Sequence, residues 1–144
     1  MEEDLLLGIE SKIGRKHFFF ADLDDKDWEK AKEKCKLLVE KYFDRVWLLF
    51  SGNGFHIAAF EPISLNKLIK INEEIKADEK FIIYIKTSDG PEGSFFINKK
   101  GKVNYSKLKI KDFKMIDQLF YKNKIQGAKV YGKFFGAGND GRKE

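Results

Sequence analysis

Two apolar runs, LLF at 48–50 and FHIAAF at 55–60, flank a Ser-Gly-Asn-Gly segment, and this pattern is the strongest constraint on the fold. Glycine and asparagine accept the positive φ angles that tight turns between paired strands require. The segment therefore predicts a β-hairpin, with one strand over 45–50 and the next over 55–60. His56, one of two histidines in the chain, stands at the start of the second strand.

A strand and a helix are predicted before this hairpin. HFFFADL at 17–23 is dense in aromatic and apolar residues and ends in acids, which indicates a buried strand. Beyond it, apolar residues recur at steps of three and four, which predicts an amphipathic helix capped by Asp25 or Asp27. The recurring residues are Trp28, Ala31, Cys35, Leu38, Val39 and Tyr42.

A second helix and a fourth strand are predicted after the hairpin. Ser64 is a capping residue for a helix with apolar residues on its inner face, and KFIIYI at 80–85 indicates a strand. The order β-α-β-β-α-β is that of a ferredoxin-like or RRM-like palm, in the α+β class. In such a palm two helices cover one face of a four-stranded antiparallel sheet, and the other face is free for chemistry or binding.

The rest of the sequence predicts a small C-terminal extension of β and α elements. SFFINKKGKV indicates a strand followed by a basic turn, and residues 112–124 indicate a helix with Phe113, Ile116, Leu119 and Phe120 inward. We expect a single domain over 1–144. Its parts are a core over about 15–104, an extension over 105–135 and a flexible tail over 136–144.

Composition limits the class of protein. Hydrophobic residues make up 42% and charged residues 35% of the chain, which is typical of a soluble globular protein. No apolar run approaches the roughly 20 residues of a membrane span, and the acidic N-terminus lacks a signal-peptide pattern, so we expect a cytoplasmic protein with no membrane partner. One cysteine excludes an internal disulfide, and the net charge of +5 permits an anionic partner such as nucleic acid.

Asp22 and Asp24 close the first predicted strand and are two residues apart, so both carboxylates project from the same face. Two such carboxylates repel each other unless a cation lies between them, and a pair of this kind can form half of a Mg²⁺ or Mn²⁺ site. The alternative is an acidic strand end with a helix cap. A histidine beside a sheet is also more often packed than catalytic.

The combined pattern is more specific than its parts. It consists of an apolar strand ending in D-x-D, one helix, another strand, and then S-G-x-G-x-H. In these features the chain resembles the archaeo-eukaryotic primase superfamily, which includes the small catalytic subunit of DNA primase and the polymerase domain of bacterial end-joining ligases. FFFADLDD at 18–25 is similar to the family's first motif and SGNGFHI at 51–57 to its second. The resemblance covers residues 17–60.

The resemblance implies a DNA-templated nucleotidyltransferase, a primase or polymerase. It implies two divalent metal ions, Mg²⁺ or Mn²⁺, with nucleoside triphosphates and a DNA template or primer as partners. Asp22 and Asp24 would hold the metals. The residues implied at the triphosphate are Ser51, Gly52, Gly54, His56, Lys99 and Lys100. A solvated turn is the other interpretation of the two lysines.

The family pattern also has a third carboxylate on a later strand, whereas FIIYI contains no acid. Asp78 is the candidate, because the start of the expected fourth strand would approach the end of the first. Glu79, Glu74 and Asp89 are alternatives, and a degenerate site is a further one. The chain is shorter than these primases, so a second subunit or a homodimer is an expected partner for template binding.

A second hypothesis is a non-catalytic module. A primase-like or RRM-like accessory subunit would bind nucleotide or single strands without transferring nucleotides. RRM sheets stack bases on exposed aromatic side chains, and HFFF at 17–20 could supply them. A histidine-based nuclease is disfavoured, because the sequence has no paired-histidine metal motif.

Overall fold

A computed structural model describes residues 4–50, 54–88, 90–98, 103–108, 112–123 and 128–133. The strands are β1 (Asp4–Glu10), β2 (Lys12–Ile13), β3 (Lys16–Leu23), β4 (Arg45–Phe50), β5 (Phe55–Ile63), β6 (Glu92–Asn98), β7 (Val103–Leu108) and β8 (Ala128–Gly132). The helices are α1 (Trp28–Lys41), α2 (Leu65–Glu74), α3 (Glu79–Thr87) and α4 (Phe113–Asn123). The protein is therefore of the α+β class, as predicted. The tail over 136–144 and the basic turn after β6 lie outside the described residues.

The strands form two sheets. One has five strands in the order β2-β3-β5-β4-β8, and the other has three in the order β6-β1-β7. In the larger sheet β5 lies between β3 and β4 and is antiparallel to both, so β3 and β4 are parallel and α1 connects them. The predicted pairing of β4 with β5 is confirmed. In the smaller sheet β1 is antiparallel to β6 and parallel to β7.

Capping residues and apolar spacing position the first two helices. The Asp27 carboxylate accepts a hydrogen bond of 2.9 Å from the backbone N–H of Glu29, at the start of α1. The Ser64 hydroxyl accepts one of 3.1 Å from the backbone N–H of Lys67, at the start of α2. These bonds satisfy donors that the first helical turn leaves unpaired. The predictions of both helices, and of α4, are confirmed.

The predicted fourth strand is wrong, because residues 79–87 form helix α3. A short apolar run is compatible with either a strand or a buried helix segment. Here the Asp78 carboxylate caps the helix by accepting from the backbone N–H of Lys80 at 3.4 Å. Phe81 and Ile85, four residues apart, are buried on one helical face. The β-α-β-β-α order is therefore followed by a helix.

The last turn of α2 and its connection to α3 cover the part of the β3 edge that a fourth strand would have paired. Asn72 Nδ2 donates to the Phe20 carbonyl at 3.2 Å, and the backbone N–H of Asp78 donates to the Asp22 carbonyl at 2.8 Å. Both carbonyls are thus satisfied without a strand, and strand pairing is blocked along this part of the edge, beyond the short pairing of β2 with the start of β3. The second bond fixes Asp78 beside Asp22.

One face of the five-stranded sheet, here called the Asp22 face, carries Asp22 and His56. The prediction that this face is free is wrong for most of its length. Its buried side chains include Phe18, Phe20, Trp47 and Phe60. Phe120 of α4 packs edge-on against Trp47 and Phe60, with ring centroids 5.3 and 4.8 Å apart. The end with Asp22 and His56 is solvent-accessible, with 39% and 23% of the two side chains exposed.

Helix α1 lies on the opposite face, here called the α1 face, where Trp28 packs against Phe55. Phe43, just after α1, packs against Phe19 of β3 with centroids 5.4 Å apart. Tyr42 and Lys41 both contact the Glu74 carboxylate, which joins the end of α1 to the end of α2. No helix in the described part of the chain is long and apolar enough to cross a bilayer.

Candidate functional site

Asp22 of β3 and His56 of β5 are directly opposite each other in the sheet. Directly opposite residues project from the same face, so the two side chains meet. His56 Nε2 lies 3.4 Å from Asp22 Oδ1. This distance is longer than that of a strong charge-assisted hydrogen bond, so the two side chains are close but are not joined by a strong bond.

The imidazole of His56 lies beside hydrophobic side chains of the two adjoining strands. The Phe20 ring lies edge-on to it, with centroids 5.4 Å apart, and buried Leu49 is its neighbour on the other adjoining strand. Burial lowers the pKa of His56, and the nearby Asp22 carboxylate opposes that shift. A neutral imidazole offers one nitrogen as an acceptor or ligand and the other as a donor.

The pKa of the Asp22 carboxyl group is set by burial and by three neighbouring side chains. Its pKa is raised first by burial, His56 opposes the rise, and the carboxylates of Asp78 and Asp24 add to it. Asp22 therefore interacts through space with two other carboxylates and with one imidazole. A cation placed among the carboxylates would stabilise their ionised forms.

The structure gives each candidate acid a different position. Asp24 follows the end of β3 and is exposed, and Asp78 is held by the backbone hydrogen bond to Asp22. Asp78 was predicted to lie near the end of the first strand, and it does so as the cap of α3. The Glu74 carboxylate is engaged by Lys41 and Tyr42, away from this site. The two remaining alternatives are Glu79, exposed in the first turn of α3, and Asp89, outside the described residues.

The donor set has the oxygen chemistry that Mg²⁺ and Mn²⁺ prefer. Across the described residues, no group of three histidine, cysteine, aspartate or glutamate side chains is close enough to hold a metal ion. Mg²⁺ is usually bound by one or two carboxylates, while water and substrate phosphates complete its octahedron. The residues present thus fit an ion that is shared with a bound phosphate and held by one or two of the carboxylates of Asp22, Asp24 and Asp78.

Gly54 has a packing role at this site. A Cβ at this position would lie 2.8 Å from the carbonyl oxygen of Leu23, a distance that real Cβ atoms do not adopt. The missing side chain lets the chain just before β5 approach the end of β3, next to the pair of Asp22 and His56. The other residues implied at the triphosphate, Ser51, Gly52, Lys99 and Lys100, lie outside the described residues.

Asn72 supports the site and is absent from the sequence-based predictions. It is fully buried, and its Nδ2 donates to the Leu68 carbonyl at 2.9 Å as well as to Phe20. Its Oδ1 has no hydrogen-bond partner among the described residues. The available signal was an amide on the apolar stripe of α2, between Leu68 and Ile75.

Comparisons with known proteins add no assignment to this geometry. No protein-family model matches the chain, and neither a curated protein nor a solved structure shows significant similarity to it. The likeness to primases therefore depends on the motifs at 18–25 and 51–57, and it stays a prediction.

Proposed function

We propose that the protein is a DNA-templated nucleotidyltransferase that uses divalent metal ions. The observation that supports this most is the convergence of Asp22 and His56 on one accessible sheet end, with Oδ1 and Nε2 3.4 Å apart. Asp24 and Asp78 act on the same carboxyl group, because their charges raise its pKa. The proposal thus combines a cluster of oxygen ligands with a packed imidazole at the point where a nucleotide would be held.

The chain's own residues have distinct tasks in this proposal. Asp22, Asp24 and Asp78 would hold the metal ions, and bound ions would supply activation of the 3′-hydroxyl and neutralisation of charge during in-line phosphoryl transfer. His56 contacts a phosphate oxygen of the incoming nucleotide through an imidazole N–H. Its position on a strand, between Phe20 and Leu49, orients the ring before substrate binds.

The test is primer extension on a DNA template with Mn²⁺. The double variant Asp22→Ala with Asp24→Ala should lose nucleotide incorporation while its circular dichroism spectrum is retained. Asp44→Ala is the matched control, since Asp44 is an exposed aspartate just before β4, at the other end of the sheet. Full activity of the double variant would refute the proposal.

A specific observation favours a second candidate, the non-catalytic binding module. The described residues contain no preformed group of three metal ligands. The prediction that the rings at 18–20 stack bases is wrong, because Phe18, Phe19 and Phe20 are at most 3% exposed and cannot receive a base. Thermal unfolding with Mn²⁺ and a nucleoside triphosphate separates the two candidates. A joint rise in Tm supports the transferase, and indifference to the metal supports the binding module.

A further inference from the structure

An exposed aromatic surface lies at the same end of the sheet, on the α1 face. Phe50 of β4 is 50% exposed, although most large apolar side chains of this sheet are buried. Phe50 is directly opposite Phe55 of β5, with ring centroids 5.2 Å apart, and Trp28 of α1 packs on Phe55 at 5.7 Å. We call these three rings the Phe50 patch.

A lysine on the neighbouring strand adds positive charge to the Phe50 patch. Lys129 of β8 is directly opposite Leu48, so it projects from the same face as Phe50. It is exposed, and its Nζ lies 4.8 Å from the centroid of the Trp28 ring. Lys32 is also near this ring, at 5.6 Å, but it is paired with Glu29 at 3.0 Å. Of these two lysines, Lys129 is therefore the better placed for an external anion.

We propose that the Phe50 patch binds single-stranded nucleic acid, with an unpaired base stacked on the Phe50 ring and a phosphate against Lys129. Proteins that bind single strands combine aromatic platforms with cations that track the backbone. Phe55 and His56 are consecutive on β5 and project to opposite faces. A nucleic-acid strand that continues from the patch over the end of the sheet would thus reach the Asp22 face. This route to the Asp22 face rests on the proposed function.

Three acids close to Trp28 in the sequence have partners within the protein. Asp25 pairs with Lys30 at 3.3 Å, and Asp27 accepts the helix N–H groups of α1. Glu29 pairs with Lys32. Their charge is thus partly compensated locally, whereas the whole chain carries a net charge of +5 that favours an anionic partner.

The size of the patch favours a nucleobase over a folded protein. A stable protein–protein interface buries about 800 Å² on each partner. The patch offers one half-exposed ring and a partly buried indole, an area suited to a single base. The other exposed large apolar residues within the described ranges, Ile83, Tyr84 and Met115, lie on α3 and α4 and do not extend it.

The experiment measures fluorescence anisotropy of a labelled oligothymidylate of about 12 nucleotides, with a chelator present, so that binding does not depend on metal. Phe50→Ala should weaken binding about tenfold, and Phe50→Leu, which keeps apolar bulk without a π face, should weaken it similarly. Ile83→Ala, which truncates an exposed apolar residue elsewhere, should bind as the unmodified chain does.

A second matched pair tests the cation. Lys129→Gln should weaken binding and reduce the slope of log K against log salt by about one. Lys133→Gln removes the same charge near Asp44, at the far end of the sheet, and should leave the slope unchanged. A duplex of the same sequence should bind more weakly, because its bases are already stacked.

Several results would overturn the inference. They are absence of oligothymidylate binding, unchanged affinity of both Phe50 variants, or equal losses in Ile83→Ala. A shift in oligomeric state on Phe50→Ala without loss of binding would identify the patch as a protein contact and also overturn it. Binding without primer extension by the unmodified chain would refute the transferase while supporting the patch.

Discussion

Two carboxylates lie beside basic groups at opposite ends of the five-stranded sheet, and their surroundings differ. Asp117 of α4 accepts from the Arg45 guanidinium and from Trp47 Nε1, the latter at 2.7 Å, and its side chain is 13% exposed. Asp22 is 39% exposed and lies 3.4 Å from an imidazole. The first group is bonded within the fold, while the second has capacity left for a ligand.

The pKa shifts at the two ends of the sheet have different causes: an opposite charge at Arg45, and burial with like charges at Asp22. Burial lowers the pKa of Arg45, but the attraction and hydrogen bond of Asp117 outweigh it, so the pKa is raised and the ion pair is favoured. At the other end burial raises the pKa of Asp22, and Asp78 and Asp24 raise it further against the opposing His56. Like charges held together at a cost in stability are typical of functional sites.

The largest expected loss of stability is that of Asp117→Ala. This change leaves a partly buried guanidinium and the indole N–H of Trp47 without their acceptor, which should lower the unfolding free energy by about 3 kcal/mol. Urea unfolding measures the loss. The control is Glu73→Gln, which breaks the half-exposed pair of Glu73 with Lys86 at 2.9 Å and should cost about 0.5 kcal/mol or less. Equal losses would remove the distinction between bonded and exposed pairs.

A smaller loss is expected from Gly54→Ala, at the Asp22 end. The added methyl would meet the Leu23 carbonyl, a backbone atom that cannot rotate away, so we expect a loss of about 1–2 kcal/mol. The strain also separates β5 from β3, which should weaken metal and nucleotide binding through displacement of His56. An unchanged urea midpoint would show that the two strands can move apart freely.

The elements that the sequence predicted correctly carry strong local signals. α1 and α2 have capping residues, Asp27 and Ser64, followed by apolar residues at helical spacing. The hairpin strands are apolar runs on either side of a glycine-rich turn. Helix α3 was missed because five consecutive apolar residues, 81–85, fit either structure, although its signals were present: the Asp78 cap and buried residues at 81 and 85.

Interactions between distant segments could not be predicted. Arg45 and Asp117 are 72 residues apart, and their pairing depends on how α4 packs on the sheet. Within the site, the proximity of Asp22 and His56 could be predicted, because the pairing of their strands follows from the hairpin and the split β-α-β order. The position of Asp78 followed from an expected strand that does not exist. The hydrogen bonds that fix it depend on the fold of the α2–α3 connection.

The smallest expected change in stability is that of Asp22→Asn, a nearly isosteric change. It removes repulsion with Asp24 and Asp78 and weakens the contact with His56, and these two effects oppose each other. The unfolding free energy should therefore fall by no more than about 0.5 kcal/mol, and a small rise is equally consistent with this prediction. The functional loss should nevertheless be complete: the joint Tm increase with Mn²⁺ and a nucleoside triphosphate should disappear. Asp117→Ala, although less stable, should keep that increase from its lower starting Tm. If Asp22→Asn instead destabilised the protein as much as Asp117→Ala and kept the ligand response, Asp22 would be a structural carboxylate like Asp117, and both ends of the sheet would serve the fold alone.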